Sequence, residues 1–325
     1  MGLEVERIVL GDNSLYLVVG PEGRLLVDAG PDYAGAWDAV AERVGEVDAV
    51  AVTHGHADHA GLGARWSARG VLVFLHPLDH HLVGALVPAG DAWRVLVKFV
   101  AGCGAPADVA AAILAGLERR RAAAERWRQV EGYPPPGPRA RHPSGLRYDP
   151  FPPRPFPEEL LPNGLEVRHL PGHTPGTVVL VEPQEGWLFS GDQLVPGYTP
   201  TPGIQLDPTA GGAVRFRSLP RFLDALLELR RATFARCFPG HGEPFSNVAD
   251  ALDAAIAGIE SRTERVLAEL RRAGRGTAYS LAARAYPRAL ERRFWQVVPA
   301  IQGHLDLLEE RGLVRSEGSW YVPTR

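Results

Sequence analysis

The chain is poor in cysteine, nearly empty of lysine and without a long apolar run. Two Cys among 325 residues exclude a disulfide framework, which needs cysteines in quantity. Cys103 falls in an expected helix and Cys237 in an expected strand, so both read as buried free thiols. Lys98 is the only lysine, and Arg supplies the rest of the positive charge. A formal net charge of −3 excludes the global field that draws a chain to nucleic acid or to an anionic membrane. No stretch is apolar enough to span a bilayer, and the N-terminus, with Glu4 and Glu6, has no signal-peptide pattern. The expected compartment is the cytoplasm, with no membrane partner. Apolar content of 45% is ordinary, and the length allows two domains or one with an added module.

Against this plain background one stretch stands out. Thr53-His54-Gly55-His56-Ala57-Asp58-His59-Ala60-Gly61 holds three His and one Asp within six residues. Imidazole with carboxylate is the donor set of a borderline divalent metal such as Zn²⁺. The preceding run, Asp48 to Thr53, reads as a buried strand, so the donors sit where a strand ends and turns toward a helix. His54 and His56 point the same way on extended backbone. Asp58 and His59 come after the turn and aim at a second point nearby. Two adjacent metals use such crowded donors more easily than one.

Two metals need more ligands at later strand ends, and three candidates appear. His173 lies in Leu170-Pro171-Gly172-His173-Thr174-Pro175-Gly176, Asp192 after Leu188-Phe189-Ser190-Gly191, and His241 in Pro239-Gly240-His241-Gly242. Each follows a short apolar run and is flanked by Gly or Pro, which permit tight turns. This pattern, HxHxDH followed by a lone His, an Asp and a final His, resembles the metallo-β-lactamase superfamily of binuclear metal hydrolases. The resemblance covers roughly residues 5 to 245 and is specific for the fold rather than for the substrate.

The resemblance implies an α/β fold, the αββα metallo-β-lactamase sandwich. It implies one metal on His54, His56 and His173, another on Asp58, His59 and His241, and Asp192 bridging both. A hydroxide between the metals is the implied nucleophile, and Asp58 the candidate proton acceptor. Zn²⁺ is the first choice, with Mn²⁺ or Fe²⁺ as alternatives for an all-N/O site. Oxygen-reducing diiron relatives typically place Glu at the second motif position and append a flavin module. Here that residue is His56, and no flavin module is visible.

Around the motif, Val5–Leu10, Leu15–Gly20 and Arg24–Asp28 read as strands, and 33–44 as an amphipathic helix. A short helix over 61–69 and a strand over 71–75 continue an alternation expected of layered α/β structure. Asn13 and Asp28 match family positions near the metals. Asp28 reads equally as an acceptor orienting a ligand His or as a cap on the next turn. His76, His80 and His81 read as a helix start at the pocket rim, since no ligand position is left for them. Residues 83–160 form an insertion, first helical, then a belt with ten prolines between Pro134 and Pro157. Proline lacks the N–H donor, so the belt is neither helix nor central strand. The cationic helix around 118–128 reads first as a solvated face. Strands are expected at 166–169, 177–182, 187–190 and 234–238, and a helix at 219–231. His169, on the first of these strands, is expected to be structural. The loop 195–208 is expected near the substrate.

The expected boundary separates a catalytic domain, 1–246, from a C-terminal domain, 247–325. Helices at 247–272, 279–286 and 291–311, the last broken at Pro299, precede a hairpin turning at Glu317-Gly318. That order looks like a winged-helix module. From Asp250 onward there are 12 Arg against 10 Asp plus Glu, which is no phosphate-binding stripe. Packing, or pairing with a second copy of the chain, is at least as good a role.

The expected activity is therefore hydrolysis of an ester-type bond in a small acyl substrate, a thioester or lactone. The alternative is a phosphodiesterase or endonuclease on single-stranded RNA, because the ligand set plus winged helix resembles the β-lactamase-like protein 2 branch rather than glyoxalase II alone. A third reading, from another class, is a nucleic-acid-binding regulator with a vestigial metal site. The complete ligand set argues against it.

Overall fold

Strand β2 (Asn13–Gly20) is buried along almost its whole length, and the molecule is layered around it. The computed structural model describes residues 2–137, 142–197 and 203–324. β2 pairs antiparallel with β1 (Glu4–Leu10) and β3 (Gly23–Val27), and β3 runs parallel to β4 (Ala49–Ala51), itself parallel to β5 (Leu72–Phe74). A second sheet holds β6 (Glu166–His169), β7 (Val178–Glu182), β8 (Trp187–Gly191) and β9 (Arg236–Pro239). It is antiparallel except between β8 and β9.

Side chains alternate across a strand, so β2 feeds two cores. Tyr16 and Val18 join Leu25, Val27, Leu180, Phe189 and Phe238 between the sheets. Leu15 and Leu17 face the other way, toward α1 (Ala36–Val44) and α3 (Gly63–Ala68), with Val40, Val44 and Trp66. The second sheet is covered likewise by α6 (Ser218–Arg230) and α7 (Val248–Ala273), through Phe222, Leu226, Leu252 and Ile259. The result is the expected αββα sandwich. Each fully buried Leu or Val contributes about 1.5–3 kcal/mol, so the inter-sheet layer is a rigid floor for the loops above it.

In chain order, α4 (Gly90–Gly102), α5 (Ala107–Arg128) and the proline-rich belt separate the first sheet from the second. In α5 only Leu117 is buried, and Arg119, Arg120, Arg121, Arg126 and Arg128 are exposed, a solvated face. The described part of the belt is tied down. Arg154 pairs with the edge of β5, its N–H donating to Val73 O and its carbonyl accepting from Leu75 N, both at 2.9 Å. The Tyr148 hydroxyl donates to Gly55 O at 3.0 Å. Residues 138–141 of the belt and 198–202 of the loop expected near the substrate lie outside the described residues.

After β9 come α7, α8 (Ala278–Ala285), α9 (Pro287–Leu290), α10 (Phe294–Glu310) and the hairpin β10 (Val314–Glu317) and β11 (Trp320–Pro323). Two details differ from expectation. The helix does not break at Pro299, which sits inside α10; the interruption falls before Phe294. Proline there removes a bond only to Trp295 in the first turn, while buried Val298, Ile301 and Leu305 hold the helix on both sides. The hairpin pairs Glu317 with Trp320, so the turn is Gly318-Ser319, where Gly318 takes a positive φ of 65°. No helix among the described residues is long and apolar enough to cross a membrane.

Candidate metal centre

β4 delivers the histidine motif. Its backbone ends at Ala51, and α2 (Ala57–Ala60) begins three residues after His54. The short β-to-α passage leaves His54 in a bend, His56 on extended backbone and Asp58 and His59 on the helical turn. His173 follows β6, Asp192 follows β8 and His241 follows β9. All seven expected residues converge at one edge of the sandwich.

They converge as two groups. His54 Nε2 lies 3.0 Å from His56 Nδ1, and His173 Nε2 lies 3.1 Å from that same atom. Ligand nitrogens around a tetrahedral zinc at 2.0–2.1 Å would be about 3.3 Å apart, so the three rings are placed as a metal would place them. In the second group His241 Nε2 and His59 Nε2 lie 3.5 and 3.7 Å from Asp58 Oδ2. Asp192 stands between the groups. Its Oδ1 is 3.3 Å from His59 Nε2 and 3.5 Å from His241 Nε2, and its Oδ2 is 3.4 Å from His173 Nε2. His59 Nε2 and Asp192 Oδ1 are buried and lack a hydrogen-bond partner among the described residues. Orphaned buried polar atoms are costly, and a cation between them would satisfy both.

The outer nitrogens are committed to acceptors that turn the inner ones toward the centre. His59 Nδ1–H donates to Asp28 Oδ2 at 2.8 Å, and His241 Nδ1–H to Asp12 O at 2.9 Å. Asp28 also accepts from Thr53 N at 2.7 Å and Thr53 Oγ1 at 2.9 Å. It thus orients a ligand and ties β3 to the end of β4, rather than capping the next helix. Asn13 Nδ2 donates to Asp58 Oδ2 at 3.2 Å. Burial, then the neighbouring rings, drives the His54 imidazole well below its usual value, and burial takes His173 to about 4. Both are held neutral, as a metal ligand must be. Burial opposes ionisation of Asp58 and Asp192, yet His59 and the other rings hold both carboxyls below the usual carboxylate range.

Two glycines are needed by this packing. A Cβ on Gly240 would lie 2.6 Å from the His59 ring and 2.9 Å from Asp192 Oδ1. One on Gly176 would lie 2.7 Å from the Asp79 carboxylate.

Asp79 is the residue that sequence reasoning passed over. It is fully buried, and it accepts from Gly55 N at 2.8 Å, Thr174 Oγ1 at 2.6 Å and Gly176 N at 2.7 Å. One carboxylate thereby clasps the loop of His54 and His56 to the loop of His173. Its three histidine neighbours drew attention away from it. His76 caps the 3₁₀ turn Pro77–Leu82 and stacks on His169 at 3.8 Å between ring centroids. His169 in turn bonds Pro175 O at 2.8 Å, a structural role as expected. Among the described residues, no three of His76, His80, His81 and His169 approach as a metal group does.

The comparisons agree with this geometry. A probable metallo-hydrolase of Bacillus subtilis (strain 168), YqjP, is 27% identical over 319 residues, 94% of this chain and 91% of that protein. A metallo-beta-lactamase family protein from Thermus thermophilus superposes with a TM-score of 0.72 at 24% identity, covering 99% of each chain. A beta-lactamase domain protein from Burkholderia ambifaria gives a TM-score of 0.66 at 21% identity, covering 100% of this chain and 93% of that one. Both superpositions run through the C-terminal helices, so the fold is shared over the whole length. The model of the metallo-beta-lactamase superfamily matches residues 9–241, from β1 to the last histidine of the centre, and the chain belongs to that superfamily.

Proposed function

We propose that this chain holds two divalent ions, Zn²⁺ by preference, and hydrolyses an ester-type bond of a small acyl substrate, a thioester or a lactone. It is a metal-dependent hydrolase of its superfamily, and the substrate and metal number are the finer part of the reading. The observation that carries it is Asp192, whose two oxygens face two different histidine groups. In this reading His54, His56 and His173 hold one ion, Asp58, His59 and His241 the other, and Asp192 both.

When bound, two such ions supply a nucleophile at neutral pH and draw charge from the oxygen of the bond to be cut. The protein's own groups do the rest. His59 and His241 keep their outer protons on Asp28 and Asp12, so their inner nitrogens stay free to ligate. Asp58 has the most exposed carboxylate of the centre, 36% against 10% for Asp192. In this reading Asp58, held by Asn13, is the proton acceptor.

The small-substrate reading is supported by what surrounds the centre. The belt lies across the metal loop, with buried Tyr148 donating to Gly55 O. The helix that a winged helix would insert into a groove, α10, is buried along most of its length. Its acids are already taken: Asp306 by Arg215, Glu309 by Arg217 and Glu310 by Arg221. At α10 an RNA strand would find neither a free helix nor an unpaired basic stripe.

The test is a side-by-side assay of an acyl-thioester, a lactone, bis-p-nitrophenyl phosphate and a short single-stranded RNA. Thioester or lactone turnover exceeding the other two, and lost in Asp192→Ala, is the expected result. Cleavage of RNA alone, lost in that variant, would replace the acyl reading by the nuclease one.

A further inference from the structure

A cavity of about 260 Å³ lies apart from the metal centre, between the segment 203–219 and helices α7 and α10. None of the seven candidate ligands lines it. Its walls are largely apolar, with Ile204, Leu219, Val297, Pro299 and Ile301. Its polar groups are unusual in how they are paired. Arg215 and Asp306 neutralise each other in a two-pronged pair at 2.6 Å. Arg262, on the α7 side, has no hydrogen bond or ion pair among the described residues, although it is half-buried. Ser218 Oγ is buried without a partner among those residues.

His304 completes the lining and is itself buried. Thr263 Oγ1 donates to Ile259 O at 2.9 Å and so accepts from His304 Nδ1–H at 2.8 Å. With the proton on Nδ1, the neutral ring offers Nε2 as an acceptor. Burial, then the nearby Arg262 and Arg265, keeps the ring at about 4, so it adds no charge near neutral pH. The cavity therefore presents one uncompensated cation over an apolar pocket, with a hydroxyl and an imidazole acceptor beside it. A half-buried guanidinium with no carboxylate is an expensive arrangement unless something else supplies the anion.

We propose that this cavity is a binding site for a small monocarboxylate with an apolar body, its carboxylate on Arg262 and its hydrocarbon between α10 and Ile204–Leu219. Charge favours a monoanion, because Arg262 is the one lining cation left among the described residues after Arg215 and Asp306 cancel. The site has a route to the centre. Ile204 lines the cavity, and the next residue, Gln205, donates from its side-chain amide to the carbonyl of His173. An occupant packed against Ile204 bears on a loop that holds a candidate ligand.

Isothermal titration calorimetry with octanoate, and with octanol as the uncharged match, tests the site on the metal-loaded protein. One octanoate per chain is expected, bound at least tenfold tighter than octanol. Arg262→Met should abolish that preference, Arg262→Lys should keep most of it, and basal hydrolysis should be unchanged in both. Ala300→Trp, which fills the cavity, should remove binding of both probes. Unchanged octanoate affinity in Arg262→Met would show that Arg262 does not hold the carboxylate and overturn the proposal. Absence of saturable binding to the unmodified protein would overturn it as well. Neither result would bear on the assignment of the metal ligands.

Discussion

The Asp28 carboxylate accepts the Nδ1 proton of His59 at 2.8 Å, from a backbone position with a φ of +64°. Asn, like Asp, tolerates that left-handed conformation better than most non-glycine residues, so Asp28→Asn is a clean probe. It keeps the backbone and removes the charge behind His59. Metal affinity is expected to fall about 10- to 100-fold, with little loss of fold. Competition against a chromophoric chelator measures it. Equal affinity in both proteins would mean that Asp28 only ties strand ends together.

Asp79→Ala leaves the two backbone donors Gly55 N–H and Gly176 N–H without their acceptor and the Thr174 hydroxyl with Thr177 Oγ1 alone. Each buried orphan costs about 1–3 kcal/mol, so the loss should reach about 3 kcal/mol or more in urea denaturation. Asp79→Asn keeps one acceptor oxygen and should fall between. A loss under about 1 kcal/mol for the Ala variant would show that the two ligand loops hold together without the clasp.

The contrast between Asp28 and Asp79 marks how far the sequence could be read. The seven candidate ligands are legible because metal chemistry demands rare residue types at close spacing, and because Gly and Pro announce the turns that carry them. Asp28 is legible in place, through its match to a family position, but its role as acceptor rather than cap is read only from the fold. Asp79 is not legible, since its role depends on Gly55 and Gly176, one far upstream and one far downstream, whose N–H groups meet only in the folded chain. The layers follow from apolar runs such as Leu15 to Val18, which a strand buried on both faces requires. The uninterrupted helix through Pro299 does not, because tertiary packing outweighs one lost hydrogen bond. The cavity beside Arg262 is equally invisible beforehand, since an unpaired arginine looks like any other until its neighbours are known.

Gly240→Ala would push a methyl group against the His59 ring and Asp192. A strained shift of those side chains should lower metal affinity at least tenfold and cost about 1–3 kcal/mol of stability. Thermal unfolding with and without a chelator separates the two effects. If the chelator shifts the variant as much as the parent, the close approach at Gly240 does not shape the centre.

His304 gives a pH dependence with a definite sign. Its imidazole is lowered to about 4 from an ordinary 6.5, so the unfolded chain binds the proton more tightly. Stability from this group is full above about pH 6.5 and is lost as pH falls toward 4, by up to about 3 kcal/mol. Urea midpoints between pH 7.5 and 4.5 should drop less steeply in His304→Gln. Parallel slopes would mean that other groups carry the acid sensitivity.

The most direct test of the two-ion centre is metal stoichiometry by elemental analysis, on the protein and on Asp192→Ala, after dialysis against limiting chelator. Two ions per chain are expected in the parent. The variant should retain one at most, with hydrolysis lost. One ion per chain in the parent, unchanged when Asp192 is removed, would contradict the shared carboxylate and with it the binuclear reading.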